Sequence, residues 1–475
     1  MIRTNIPFFA QTIFITLFYI LFFQVGYSQD KISKIYLEKD LAILKSNLEK
    51  NHGGLYTYSS KKIIDDWFIQ TQKNLKDSMG TFEFYRLLTP LNSVIKNGHT
   101  DIPYPKLKKD FKLLPIQLYK YKDSFYVGDF FAKGYEDLLG LQILKIDEQP
   151  IGEIYNSLLK NYTRDGDNLT FPNENLSSLF GLDYALIYGS KSNHTITISK
   201  DNKNVQIELK STLLNDEVVN AYEKSKKQKP LSFEINNKVG ILTFSTFSER
   251  KLEKENYLSF LEESFKKIKH NTIEHLIIDV RDNSGGDALP TQELLSYLLD
   301  KEFVMYKDVY TITKKIKDKK YYSNQGVFWL NTFSWLKLKK TMDNHYSLRK
   351  IEGMDVFSPK KDNFKGKLYI LINGKSFSAT GEFTSFLKNN RNVIFIGEEV
   401  GGNKVQNTSG ISYIITLPYS KQKVKIPLVV WEMNVDYKND SHGIKPDYWI
   451  RNTIGQELND YDSVLNFTLE FIKNR

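Results

Sequence analysis

The sequence predicts an α/β protein, with a layered core around a largely parallel sheet, preceded by a small helical segment and a β-rich domain. Three observations carry this expectation. From about Leu231 onward, short β-branched and aromatic runs alternate with helical patterns. From about Leu113 to Lys210 short strand-like runs dominate, and from Asp30 to about Asn97 apolar residues recur at helical spacing. A chain of 475 residues, 41% hydrophobic and 26% charged, carries enough apolar material for several domains and is not disordered throughout. The boundaries suggested are 1–28, 29–110, 111–215 and 230–475, the last interrupted at about 301–365.

At the N-terminus, Arg3 precedes an apolar run from about Phe8 to Val25 and the small-residue stretch Gly26-Tyr27-Ser28, the pattern of a secretory signal over 1–28. The expectation is an exported protein, periplasmic or extracellular; a retained membrane anchor is the alternative, since the run approaches spanning length. The absence of cysteine excludes a lipoprotein anchor, a thiol nucleophile and disulfide staples. The net charge of +10 comes from lysines scattered among acids, which describes a solvated basic surface and argues against a nucleic-acid groove.

In the helical segment, Ile35, Leu37, Leu41, Leu44 and Leu48 fit one face, and Phe82, Phe84, Leu87, Leu88, Leu91, Val94 and Ile95 another. Gly98 reads as a helix stop before the extended Asp101-Ile102-Pro103. Strands are expected at 116–119, 124–127, 141–146, 194–198 and 205–209. The stretch Gly140 to Ile151, followed by a helical Glu153-Ile154-Tyr155 and Leu158-Leu159, resembles the second half of a PDZ-like domain. Such domains accept a peptide as an added strand; a small β domain without a ligand is the alternative. Residues 161–189 read as polar and loop-rich. In the core, strands are expected at 239–244, 276–280, 368–373 and 393–397, with helices near 257–268, 289–299 and after Phe383. The Lys-rich, aromatic segment 301–365, with Trp329 and Trp335, reads as an insertion covering the site.

Three glycine-rich turns follow core strands. Gly374-Lys375-Ser376-Phe377-Ser378-Ala379-Thr380-Gly381-Glu382 lies between a strand and a helix, where a nucleophile can be raised beside helix N–H donors. On its own, the stretch is read first as helix capping by Ser and Thr. Asp279 to Gly286 is a candidate oxyanion hole, because paired glycines let backbone N–H groups approach a ligand. Gly397 to Asn403 is the third, and none of them has a P-loop ending or a dinucleotide fingerprint.

These turns, in this order, resemble the S41 serine peptidases, which include the C-terminal processing (tail-specific) peptidases and tricorn-like members. The resemblance implies a ClpP/crotonase-like layered α/β core, a serine peptidase acting on peptides or proteins, and no cofactor. By the family's Ser-x-Ser-Ala pattern, Ser378 is the nucleophile, with oxyanion donors at the N–H of Ala379 and of Gly285 or Gly286. One branch places a lysine where this chain has Asn403; Lys404 is one residue late, so a Ser-Lys dyad through Lys404 stays an alternative. The other branch takes a histidine from Gly-His-Thr, which matches Gly98-His99-Thr100, so His99 is the implied base. Before the closing Gly443-Ile444-Lys445-Pro446-Asp447 motif, Asp440 is the implied orienting carboxylate, with Glu398 and Asp447 as alternatives and His442 as a second candidate base. Arg281 reads as a buttress of its turn, and Ser376 and Thr380 as structural. The chemistry calls for no metal, and the seven histidines are dispersed without ligand spacing. A catalytically silent S41-like peptide-binding protein is the reading from a different class. No nucleic-acid partner is expected, and membrane contact only through an uncleaved leader.

Overall fold

The computed structural model describes residues 31–130, 134–214, 229–322, 338–341, 345–348, 351 and 353–474. The apolar leader at 1–28 and both Trp329 and Trp335 lie outside these residues. Among the described residues no helix is long and apolar enough to cross a membrane.

Helices Lys34–Asn51, Lys61–Lys73, Thr81–Leu88 and Leu91–Ile95 form the N-terminal segment. Leu37, Leu41, Leu44 and Leu48 make the buried stripe of the first, each contributing about 1.5–3 kcal/mol by its removal from water. Ile35, expected on that stripe, is 58% exposed, because a residue two positions before Leu37 lies about 160° around the helix from the buried face. The last helix does not stop at Gly98. Lys96 takes the left-handed conformation at its C-cap (φ 58°), and Gly98 is required for closeness: a Cβ there would sit 2.5 Å from Phe377 Cζ.

The β-rich part is an antiparallel sheet in the order Ile116–Tyr121, Ser124–Phe130, Gln142–Ile146, Asn193–Lys200, Lys203–Lys210. Each expected strand from 116 to 209 has its counterpart here. Helices Ile151–Leu159 and Thr170–Tyr188 cover the sheet. The second corrects the loop-rich reading of 161–189. Its polar start and Pro172 hide it from periodicity, yet Pro is tolerated in a first helical turn, and the helix is buried on most sides, with Phe180, Leu182, Tyr184 and Leu186 all in the interior.

The core sheet has six strands, in the order Leu231–Asn236, Val239–Phe244, His275–Asp279, Lys367–Ile372, Ile394–Gly397, Tyr448–Trp449. The first pair is antiparallel and all later pairs are parallel. Its strands read as continuous apolar runs because both faces are covered. Leu276, Ile278, Leu368, Ile370 and Ile372 pack on one side with Phe383 and Leu387, while Ile277, Tyr369, Leu371 and Ile396 pack on the other with Val464 and Ile472. In a parallel sheet the turns after successive strands share one edge, and so the Asp279, Ile372 and Gly397 turns converge.

A second, antiparallel sheet was not foreseen. Its order is Leu338–Lys340, Tyr346–Leu348, Tyr306–Thr311, Lys423–Met433, Gln406–Thr416. The long hairpin 406–433 does show alternating Val424, Ile426, Leu428 and Val430 around a Pro418–Lys421 turn, a legible strand signal. Part of the supposed insertion is therefore integral, since Tyr306–Thr311 pairs directly with this hairpin.

Candidate active site

The turn from Ile372 to the helix Ala379–Asn390 is tightly stitched. The Ser376 hydroxyl donates to Val280 O (2.8 Å) and accepts from Asn373 N–H (3.2 Å), and Phe377 N–H donates to Asn283 O (3.1 Å). Ser376 thus has the structural role expected of it. Ser378 sits at the helix N-cap position without capping it by its side chain, at φ 58° and ψ −125°. A non-glycine residue held there is strained, as at other sites where a turn lifts a nucleophile to a sheet edge. The capping explanation for Ser378 therefore falls.

His99 arrives from the N-terminal segment, 279 residues away in sequence. Its Nε2 lies 3.1 Å from Ser378 Oγ, and both residues are buried. The Asn97 side-chain carbonyl fixes its turn by accepting the N–H groups of His99 and Thr100 and the Thr100 hydroxyl. His52 adds a further tie: its Nδ1 accepts Gly54 N–H, so its Nε2–H donates to Thr100 Oγ1 at 2.6 Å. The His99 ring stacks on Phe377 (4.9 Å between centroids), which stacks on Phe171 (4.1 Å). Burial, and secondarily the charge of Lys425, push the His99 imidazole well below its ordinary value. It is neutral at neutral pH, the form that accepts a proton.

Asn407, from the unforeseen hairpin, completes the surroundings of Ser378. Its Nδ2 lies 3.4 Å from Ser378 Oγ and donates to Glu382 Oε1 at 2.7 Å, while Tyr306 O–H donates to Glu382 Oε2 at 2.5 Å. Glu382 is one helical turn past Ser378 and fully enclosed, and burial raises its carboxyl. Tyr306→Phe would leave that buried oxygen without this donor, at a cost of about 1–3 kcal/mol. The expected result is a urea unfolding midpoint shifted to lower concentration; an unmoved midpoint would show that the hydroxyl contributes nothing.

Other expected site residues are placed elsewhere. Asp440 does not orient His99: it pairs with Lys404 Nζ at 2.6 Å, accepts His442 N–H, and its side chain is half exposed. The same ion pair holds Lys404, whose ammonium also lies over the Tyr437 ring, so it makes no contact with Ser378. Lys404 lies in the bend before the strand Gln406–Thr416, and Asn403 in the lysine position folds its side chain back to accept Val405 and Gln406 N–H groups. His442 pairs with Glu399 at 3.0 Å, Glu398 with Arg451, and Asp447 caps Phe395 N–H, all structural contacts. Arg281 bridges Asp279 and Asp462, tying its turn to the C-terminal helix.

Ala379 is the first residue of its helix, where N–H groups lack intrahelical acceptors. Gly285 packs against it so closely that a Cβ would meet Ala379 N and Phe377 O at 2.8 Å. The Gly285 N–H itself donates to Asn283 Oδ1 at 2.9 Å. Gly286 lies against the Phe247 backbone, where a Cβ would come within 2.1 Å of Phe247 C. Thr380 is buried in the same helix. Among the described residues no three or more His, Asp or Glu side chains gather in a way that could hold a metal.

Fold and site together define a class: an α/β protein with the turn-borne serine and buried histidine of serine hydrolases. Residues 238–450 match the sequence profile of Peptidase family S41. Over these residues the chain is similar to that family. Its fold is similar to that of a CPAF mutant (TM-score 0.68, 15% identity, 91% of this chain and 96% of that chain covered). It is similar likewise to mature CPAF complexed with lactacystin (TM-score 0.64, 15% identity, 93% and 99% covered). None of the curated proteins matches the chain by sequence.

Proposed function

We propose that the protein is an exported serine peptidase in which Ser378 attacks a peptide carbonyl and His99 takes its proton. The 3.1 Å approach of His99 Nε2 to Ser378 Oγ carries this reading. With Nδ1 protonated, Nε2 accepts the Ser378 proton, while Asn407, donating to the same oxygen, leaves that proton directed at the imidazole. As the Oγ–C bond forms, the carbonyl oxygen gains charge. The N–H of Ala379 and a glycine N–H of the 285–286 turn receive it, worth on the order of 3 kcal/mol each. Because the Gly285 N–H is donated to Asn283, Gly286 is the second donor in this reading. The imidazolium then protonates the leaving amine as the C–N bond breaks, and water frees the acyl group by the same route.

Capture of an extended peptide at an edge of the PDZ-like sheet is the β-rich domain's share in this reading. Export rests on the leader at 1–28. A catalytically silent binding protein would need a missing base, and the neutral histidine within reach of the serine argues against it. A fluorophosphonate probe is expected to label the purified chain and Ser378→Ala to abolish labelling; undiminished labelling of that variant would remove Ser378 as nucleophile.

A further inference from the structure

The connection between helices Ile151–Leu159 and Thr170–Tyr188 of the β-rich domain threads between the segments that build the site. Thr163 Oγ1 donates to Asn97 O (2.5 Å) and Gly166 N–H to Lys96 O (2.9 Å) on the histidine side. Asp167 N–H donates to Ser441 O (2.9 Å) and Asn168 Nδ2 to Val400 O (2.7 Å) on the core side. At the centre stands Asp165, 2% exposed. Its Oδ1 accepts the N–H of Gly98 at 2.7 Å, and its Oδ2 accepts the N–H of Asn403 at 3.3 Å.

We propose that Asp165 is a positioning residue for His99: its carboxylate clamps the histidine turn to the Asn403 turn, and it must be ionised to do so. Each oxygen faces an N–H donor, so a proton on either would set donor against donor and release one side of the clamp. The residue immediately after Gly98 is His99, and the working distance to Ser378 depends on where that turn rests. Among the described residues Asp165 forms no ion pair. The titratable groups acting with it are Glu382 of the Ser378 helix and Tyr58 of the N-terminal segment; beside it, Arg164 and Lys96 are engaged with Asp167. Burial pushes the Asp165 carboxyl up to about 6, while it lowers the His99 imidazole. The clamp assigns an acid limb of activity near that pH to Asp165. Stability runs the other way. The folded value is above the ordinary 3.8, so the contribution of this group is complete below that pH and is lost as the pH rises through about 6.

The inference rests on the Ser378–His99 reading, and one experiment separates the two: the fluorophosphonate labelling rate of the full chain from about pH 4.5 to about pH 9, a range that brackets the expected limb. The wild type is expected to lose rate below a midpoint near 6. Asp165→Asn, whose amide sets one donor against an N–H at every pH, is expected to label about 10- to 100-fold more slowly at the plateau and to lack that limb. Asp165→Glu keeps a carboxylate and is expected to keep a limb at reduced rate, and near-UV circular dichroism reports whether each variant is folded. A folded Asp165→Asn variant with the wild-type rate and limb overturns the proposal, as does an Asp165→Glu variant without a limb. A wild type that never labels overturns the Ser378–His99 reading instead, and the inference falls with it.

Discussion

His99→Ala is expected to lower the rate of fluorophosphonate labelling and of peptide hydrolysis by about 10⁴-fold or more, because removal of the base from a serine–histidine pair costs nearly as much as removal of the serine. The neutral imidazole lies 3.1 Å from Ser378 Oγ, and the two alternative bases are engaged elsewhere: Lys404 is held by Asp440 and His442 by Glu399. Lys404→Ala is the matched control, expected to retain activity within about threefold, since exposed ion pairs contribute little. Loss of activity in Lys404→Ala with its retention in His99→Ala would restore the serine–lysine arrangement. Rates of purified, folded variants at one pH decide between these outcomes.

Gly98→Ala is the second large expected effect. An added Cβ would lie 2.5 Å from Phe377 Cζ and 2.9 Å from Asp165 Oδ1. Phe377 is fully buried and precedes Ser378, so it has nowhere to retreat without moving the nucleophile, and the alternative is displacement of the histidine turn. A misplacement of about 1 Å costs on the order of 100-fold in rate. The expectation is a folded variant, by circular dichroism, that labels about 100-fold more slowly. A variant of normal rate would show that the contact between the two turns relaxes freely. If Gly98 were only a helix stop, the substitution would be nearly silent, because Lys96 already ends the helix.

Ser378 and His99 were legible because each sits in a short local pattern, a strand-to-helix turn for one and Gly-His-Thr for the other. The parallel strands were legible for a similar reason, since burial on both faces leaves unbroken apolar runs such as 276–278 and 368–372. The surroundings of the pair were not. Asn407 lies on a hairpin whose alternation is visible but whose approach to Ser378 depends on how two sheets pack. Asp165 sits in the polar run Arg164-Asp165-Gly166-Asp167-Asn168, which resembles any solvated loop until tertiary structure buries it. Asp440, implied only by the carboxylate that similar sequences carry before the closing motif, pairs instead with Lys404, a contact across 36 residues that no local pattern shows. Glu382 was visible in the opening motif, yet its link to Tyr306 spans 76 residues that no local pattern connects.

The clamp built by residues 163–168 bears on how the chain acquires activity as it is made. The histidine turn, the clamp and the serine turn come from three successive parts of the sequence, and the hairpin that carries Asn407 follows all of them. Contacts so far apart close late in folding, after the loops between them have lost their freedom. A nascent chain emerging from its N-terminus would therefore bring His99 to Ser378 only after most of it had folded. The wide separation of the parts makes the site a property of the finished molecule.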